Sequence, residues 1–328
     1  MSMLSAAWAR LPVTRIEDLS DGVYGAGLEV MQMSTSPLSG SLVFSQQNGV
    51  VYSSGLINGQ IALSGPLHHD LLTVGVGLRL GAGTRHWLTE TPTGAVGVFH
   101  GGDDHDAIYT PGSLYATATL SVDRLEEIAA GQGIVLDKPL LGGTGLYHRP
   151  LSPAINKRLK QAFERVHAGR TVPRFGEADI GEALLDVLIE HIGRQPFARN
   201  RRSNAEAHAR IVERARAYIV AHLAQPISPN EIARAANTSR RTLFRAFADI
   251  LDDSPQGYVR RLRLHRIRHD LASHEETACT IALIANQWGI SELGRMAGWY
   301  SDLFGERPSE TLALAHQLQT AKSSASRH

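Results

Sequence analysis

Arg240, Arg241, Phe244 and Arg245 stand close together directly after Ser239. An arginine guanidinium presents a rigid fork of donors that matches the O6 and N7 acceptors of guanine in the major groove. Three arginines near the start of one short helix form the layout in which a recognition helix meets base edges. Leu243 and Phe247, four apart, point inward from the same helix and leave the four named residues on its outer surface.

The residues before this group fit that use. Ser228-Pro229-Asn230-Glu231 reads as a helix start, with Ser228 the cap, Pro229 in the first helical position and Glu231 closing a capping box. Ile232, Ala233 and Ala236 make a short buried stripe of mostly small residues, so a second helix can approach closely. Asn237-Thr238 makes the turn and Ser239 caps the next helix. The pattern then recurs. Ile284-Ala285 answers Ile232-Ala233 at an offset of 52, and Met296 and Tyr300 answer Leu243 and Phe247 at 53. Gly289-Ile290 is the second turn and Ser291 the second cap. The exposed set on the second helix is Glu292, Leu293, Arg295 and Gly298. One helix-turn-helix match is weak evidence, because any two short amphipathic helices imitate it; two in tandem with matched caps are a strong signal. Glycine in mid-helix costs about 1 kcal/mol relative to alanine and offers no base contact. The first helix is therefore expected to carry more of the sequence reading.

Between the two units, Ser254 caps a helix running to Leu271, expected at about 17 residues or roughly 25 Å. Such a helix would hold two recognition helices about one DNA turn apart. Its Arg260 and Arg261 are the candidates for phosphate contacts, the alternative being a solvated basic face.

The region from about Ile211 to Leu314 resembles the DNA-binding domain of the AraC/XylS transcription regulators. The resemblance rests on Ser239 to Phe247, on Tyr258-Val259-Arg260-Arg261-Leu262-Arg263-Leu264, and on Phe304-Gly305-Glu306-Arg307-Pro308-Ser309-Glu310-Thr311-Leu312. With Leu293-Gly294-Arg295, the last block is most similar to the XylS-like branch. Gly298 departs from the arginine common there, Met296 from a frequent phenylalanine, and Asn237 takes a turn position that varies. The resemblance implies a seven-helix domain on double-stranded DNA and an N-terminal cupin-like effector and dimerisation domain. It also implies activation of a nearby operon through RNA polymerase.

The rest of the chain is consistent with two domains. The whole chain has 328 residues and a net charge of +1, which hides a split: +5 from Arg201 onward and −4 before it. A basic half beside an acidic half suits a nucleic-acid-binding domain next to another kind. No apolar run is long enough to span a bilayer, and no secretory signal pattern opens the chain. The single cysteine, Cys279, allows no intrachain disulfide, so a cytoplasmic location is expected. It reads either as a redox sensor or as a small buried residue.

From Leu42 to about residue 121 short apolar stretches broken by Gly, Pro, Asn and Asp read as strands of a small barrel or sandwich. Ser121 or Asp123 caps a short helix after them. Two helical stripes follow, Ile155-Leu159-Phe163-Val166 and Ile180-Leu184-Leu188-Ile189-Ile192, which either seal the barrel or pair with a second subunit. The expected class is α+β, with a β-barrel and flanking helices in residues 1–195, a polar linker at 196–207, an all-α DNA-binding domain at 208–315 and a polar tail at 316–328.

Arg85, Trp87, Phe99 and Tyr109 are the candidates for binding a small effector, the aromatic rings being equally readable as core, and Arg85 offers a place for an anion. His68, His69, His86, His100 and His105 with nearby aspartates admit a metal site or solvated loop histidines; no spacing of a metal-binding cupin is present, and neither metal nor cofactor is expected. The chain also lacks a Gly-rich phosphate loop, a Gly-x-Ser-x-Gly elbow and a His-Glu-x-x-His motif, so a regulator, a homodimer by the resemblance, is expected rather than an enzyme with a DNA-binding tail. A regulator without effector is the third reading.

Overall fold

The computed structural model describes residues 8–136, 143–147, 149–170, 179–193, 199–200, 207–273 and 281–325. Cys279 lies outside them. The chain divides into two compact units, one of residues 1–32 and 38–204 and one of residues 205–328 together with 33–37.

The first unit is built on antiparallel strands: β1 (Ala9–Val13), β2 (Glu29–Gln32), β3 (Gly40–Gln47), β4 (Val50–Ile57), β5 (Ile61–Pro66), β6 (Leu72–Arg79), β7 (Arg85–His86), β8 (Thr89–Glu90), β9 (Val96–Phe99), β10 (Asp104–Tyr109), β11 (Ser113–Leu120), β12 (Gly145–Tyr147) and β13 (Arg199–Asn200). They form two sheets, ordered β1-β3-β4-β11-β6-β9-β12-β13 and β2-β5-β10-β7-β8. The expected cupin-like barrel is thus met as two sheets whose hydrogen bonding does not close into one ring. Strands also begin earlier than Leu42, because β1 finds its partner in β3, from Ala9 opposite Phe44 to Val13 opposite Gly40. His105, one of the candidate loop histidines, lies instead within strand β10, where residues 104–106 pair with β5. The expected linker contributes β13, which pairs with β12.

Strand β11 shows why the core has two layers. Side chains alternate across a strand, and all eight of its residues are buried. Leu114, Ala116, Ala118 and Leu120 face a core shared with the helices, while Tyr115 faces a second core with Leu42, Ile57, Ile61, Leu63 and Tyr109. Helix α1 (Val122–Gly131) is capped by Ser121, whose hydroxyl accepts from the Arg124 amide. Helices α2 (Pro153–His167) and α3 (Ile180–Gly193) put both apolar stripes into the helix-side core, through Leu159, Phe163 and Val166 and through Ile180, Leu184, Leu188, Ile189 and Ile192. The sealing role is the one they take within the chain.

The second unit holds seven helices among the described residues: α4 (Ala207–Ala221), α5 (Pro229–Ala235), α6 (Arg240–Leu251), α7 (Pro255–Ser273), α8 (Ile281–Gln287), α9 (Leu293–Phe304) and α10 (Pro308–Ala325). Helix α4 packs on α5 and α6, α8 and α10 each pack on α9, and α7 joins the two groups. Helix α10 continues into the segment read as a polar tail, since neither Gly nor Pro interrupts it before Ala325. Among the described residues no helix is long and apolar enough to cross a membrane.

Candidate nucleic-acid interface and ligand cavity

The first helix-turn-helix is held by its caps. The Ser228 hydroxyl accepts from the Glu231 amide at 3.3 Å, and the Glu231 carboxylate accepts from the Ser228 amide at 2.8 Å. These bonds hold the Glu231 carboxyl below its usual range. Ile232, Ala233 and Ala236 are buried. Asn237 turns the chain with φ +51°, its amide donating to the Arg234 carbonyl at 3.0 Å while Thr238 donates to Ala233 at 2.9 Å. The Ser239 hydroxyl then accepts from the Thr242 amide at 3.1 Å and starts α6.

Leu243, Ala246 and Phe247 are fully buried, so α6 has one permitted orientation. That orientation exposes Arg240, Arg241 and Arg245 and leaves Phe244 half-buried, with the Arg240 guanidinium carbon 5.6 Å from the Phe244 ring centre.

The second unit repeats the turn. Gly289 has φ +71°, and its amide and that of Ile290 donate to Asn286 and Ala285 at 3.0 and 2.9 Å. Its helix departs from expectation at the start. Ser291 is not the cap; Glu292 takes that position without a side-chain capping bond, and its carboxylate pairs with Arg295 at 2.9 Å. Met296, Tyr300 and Leu303 are buried, and Glu292, Leu293, Arg295 and Gly298 are exposed. The second surface therefore offers an arginine already paired to a carboxylate, where α6 offers three exposed ones.

The connecting helix α7 is 19 residues long, about 28 Å at the usual rise, and the Ser254 hydroxyl caps it by accepting from the Gly257 amide at 3.0 Å. Its arginines do not share one basic face. Arg260 is exposed and lies 4.8 Å from the centre of the Trp299 ring. Arg261, expected beside it as a phosphate contact, is partly buried and paired with Asp253 at 2.8 Å. Arg263 donates to three carbonyls, those of Leu223, Gln225 and Gly289, at 3.1, 2.6 and 3.1 Å. Arg268 is buried against Phe304 and paired with Glu306 at 2.6 Å. Thr311 donates to that same carboxylate at 2.6 Å and meets the Tyr300 hydroxyl at 2.8 Å. Burial pushes the Tyr300 phenol up to about 12. The sequence reading missed the parts played by Arg263 and Trp299, because both depend on neighbours distant in the chain.

A cavity of about 40 Å³ opens inside the first unit. Phe99 and Tyr109, two of the four ligand candidates, line it; Arg85 and Trp87 do not. Arg85 and His86 are neighbours on β7 and so point to opposite faces, and it is His86 that turns inward. The Arg85 guanidinium donates instead to the Leu88 carbonyl, and the Trp87 indole to that of Asp104. His105 joins His86, their ring centres 5.3 Å apart. Burial pushes His86 down to about 3 and His105 to about 4. Gly75, Gly77 and Gly97 supply the room. A side chain there would strike Thr117, Leu80 and Phe99 respectively, within 3 Å in each case. His68, by contrast, is a loop residue whose Nδ1 accepts the amides of Asp70 and Leu71 at 3.0 Å each. Among the described residues no group of three or more His, Cys, Asp or Glu could hold a metal.

Residues 232–313 match a family model described as a helix-turn-helix domain. Over 102 residues the chain is 34% identical to a probable thc operon regulatory protein of Rhodococcus erythropolis, covering 31% of each chain. Over 146 residues it is 31% identical to a XylDLEGF operon transcriptional activator of Pseudomonas putida, covering 44% of this chain and 43% of that one. The chain thus spans less than half the length of either curated relative. A solved structure of a probable AraC family transcriptional regulator from Rhodopseudomonas palustris CGA009 is 34% identical over 32% of this chain and 96% of that one, with a TM-score of 0.31.

Proposed function

We propose that this chain, whose C-terminal unit belongs to the AraC/XylS family of helix-turn-helix DNA-binding domains, is a sequence-specific transcription regulator that activates a nearby operon. The observation that carries the reading is α6, fixed by Leu243 and Phe247 so that Arg240, Arg241 and Arg245 stand exposed together. In this reading Arg240, Arg241, Phe244 and Arg245 read base edges in one major-groove segment, and Glu292, Leu293 and Arg295 meet the next. Arg260 neutralises a phosphate. Arg261 is reassigned to holding the corner between α6 and α7 through Asp253.

The N-terminal unit binds a small-molecule effector in its cavity and supports a homodimer that works with RNA polymerase in the cytoplasm. The chain acts by binding rather than by catalysis. Recovery of genomic fragments bound by the purified protein, repeated with Arg241→Ala, tests this. A shared motif of two segments about one turn apart, weakened by the variant, is the expected result. Salt-sensitive binding with no motif and no response to the variant would overturn it.

A further inference from the structure

The walls of the cavity are chemically uniform. Val23, Leu28, Leu63, Leu67, Leu80 and Phe99 are among its apolar lining residues, and among the described residues no Lys, Arg, Asp or Glu lines it. Its polar groups are neutral ones: Thr91, Thr117, two tyrosines and two histidines. An ion placed there would lose its water and gain no counter-charge, which is costly for either sign. The carboxylates adjacent to His105 in sequence, Asp104 and Asp106, do not line the cavity, although the charge of Asp106 reaches His86.

One polar atom in this setting is unprovided for. His86 is engaged at both ring nitrogens, by Thr91 Oγ1 at 3.1 Å and by the Tyr109 hydroxyl at 3.4 Å. The Tyr115 hydroxyl donates to the Gly22 carbonyl. His105 is 2% exposed, and its Nδ1 is buried with no hydrogen-bond partner among the described residues. Native proteins rarely leave such an atom unpaired, so its place on a cavity wall points to a hydrogen-bonding guest.

We infer that the cavity receives a small uncharged molecule bearing one hydrogen-bonding group, which the unpartnered imidazole of His105 recognises among apolar walls. The inference rests on the effector reading proposed above and narrows it to a chemical class. Carboxylates are thereby disfavoured, and Arg85, which faces away, plays no part. His105 and His86 are neutral at pH 7, since burial holds both far below their usual range, and neither supplies a positive charge for an anion. The size is also bounded. The cavity is well below the roughly 150 Å³ that admits benzene, so the molecule is smaller than benzene and the walls must give a little to take it.

The test titrates the purified 328-residue chain at pH 7 with three probes of one shape: isobutanol, isobutyrate and isobutylamine. Isobutanol is expected to bind at one site and at least tenfold tighter than either charged probe. His105→Phe, which keeps a ring in place, is expected to weaken isobutanol roughly five- to tenfold, the share of one neutral hydrogen bond. In the unaltered chain, labelled with ¹⁵N-histidine, saturation with isobutanol should shift the His105 resonance; this reading needs no variant to fold. Tighter binding of isobutyrate or isobutylamine would overturn the uncharged class and leave the effector reading standing. An unmoved His105 resonance, or an unchanged affinity in a folded His105→Phe chain, would overturn the role of His105. Saturable binding by none of the three would overturn the cavity as a ligand site, and the effector reading with it.

Discussion

Asn237 and Gly289 hold the same place in two successive turns, 52 residues apart in sequence and both left-handed, with φ +51° and +71°. Each donates its amide three residues back, to Arg234 and to Asn286, and in each case the next amide closes onto a residue five back, Ala233 or Ala285. The structural repeat is therefore carried by backbone geometry, and the two positions share a torsion while differing in residue type. Gly289 has a second constraint: a Cβ there would lie 3.1 Å from the Arg263 guanidinium carbon.

Gly289→Ala is accordingly expected to destabilise the C-terminal unit by about 1–2 kcal/mol, through the left-handed torsion and the crowding of Arg263. Asn237→Gly, which meets no such strain, should stay within about 0.5 kcal/mol of the parent. Urea midpoints at unchanged slope measure both.

Arg241→Ala or Arg245→Ala should cost about 1–3 kcal/mol of operator affinity and relax the preference at one base position. Arg260→Ala should weaken binding evenly across sequences and reduce the salt slope by about one. Arg261→Ala should instead lower stability and leave that slope unchanged, because its charge is already taken up by Asp253. Binding titrations over a range of salt concentrations separate the three outcomes.

The Arg268–Glu306 pair is buried on the arginine side, and Thr311 and Tyr300 extend it. Arg268→Met strands the Glu306 carboxylate and should cost about 3 kcal/mol of stability. Adding Glu306→Gln should recover part of that loss, because the stranded charge goes with it. Chemical unfolding of the single and double variants reads the difference.

Gly298 is exposed in the middle of α9, and a Cβ there would meet nothing within 4 Å. Gly298→Ala should raise stability by roughly 0.5–1 kcal/mol, the helix-propensity gain alone. A thermal melt that fell would show that the glycine is required by backbone geometry.

Three buried histidines make the first unit sensitive to acid. His86, His105 and His167 are held near 3, 4 and 4 by burial, the last with Arg10 adding repulsion. A pKa lowered on folding gives stability that is whole above the unfolded value, about 6.5, and is lost as pH falls toward the folded one. The melting temperature of the unit should therefore begin to fall between about pH 6.5 and 5, before most carboxylates take up protons. His167→Gln, at a ring held between the Ser41 and Ser54 hydroxyls, should make that decline shallower.

Much of the C-terminal unit was legible because its signals are local. Ser228, Ser239 and Ser254 each cap the helix that follows, and the inward pairs Leu243–Phe247 and Met296–Tyr300 are buried as their spacing requires. Ser291 misled for the same reason in reverse. Its type suits a cap, but the helix begins one residue later, at Leu293, where the Glu292 carboxylate turns to Arg295. In the first unit the long strands β4, β6 and β11 showed as apolar runs, whereas β1 and β10 are made strands by their partners.

The sequence by itself determined that this chain has a β-rich part and a tandem helix-turn-helix part, and which residues of α6 face outward. Periodicity and capping act within a few residues, so they can be read without knowing what lies opposite. Only the tertiary structure decided the fates of Arg260, Arg261, Arg263 and Arg268, four like side chains on one helix. One is left exposed over Trp299, two are ion-paired, and one ties three distant carbonyls together. The same holds for His86 turning inward while Arg85 turns away. A charged or polar side chain takes its role from the partner that packing brings to it, and that partner is set by contacts distant in sequence.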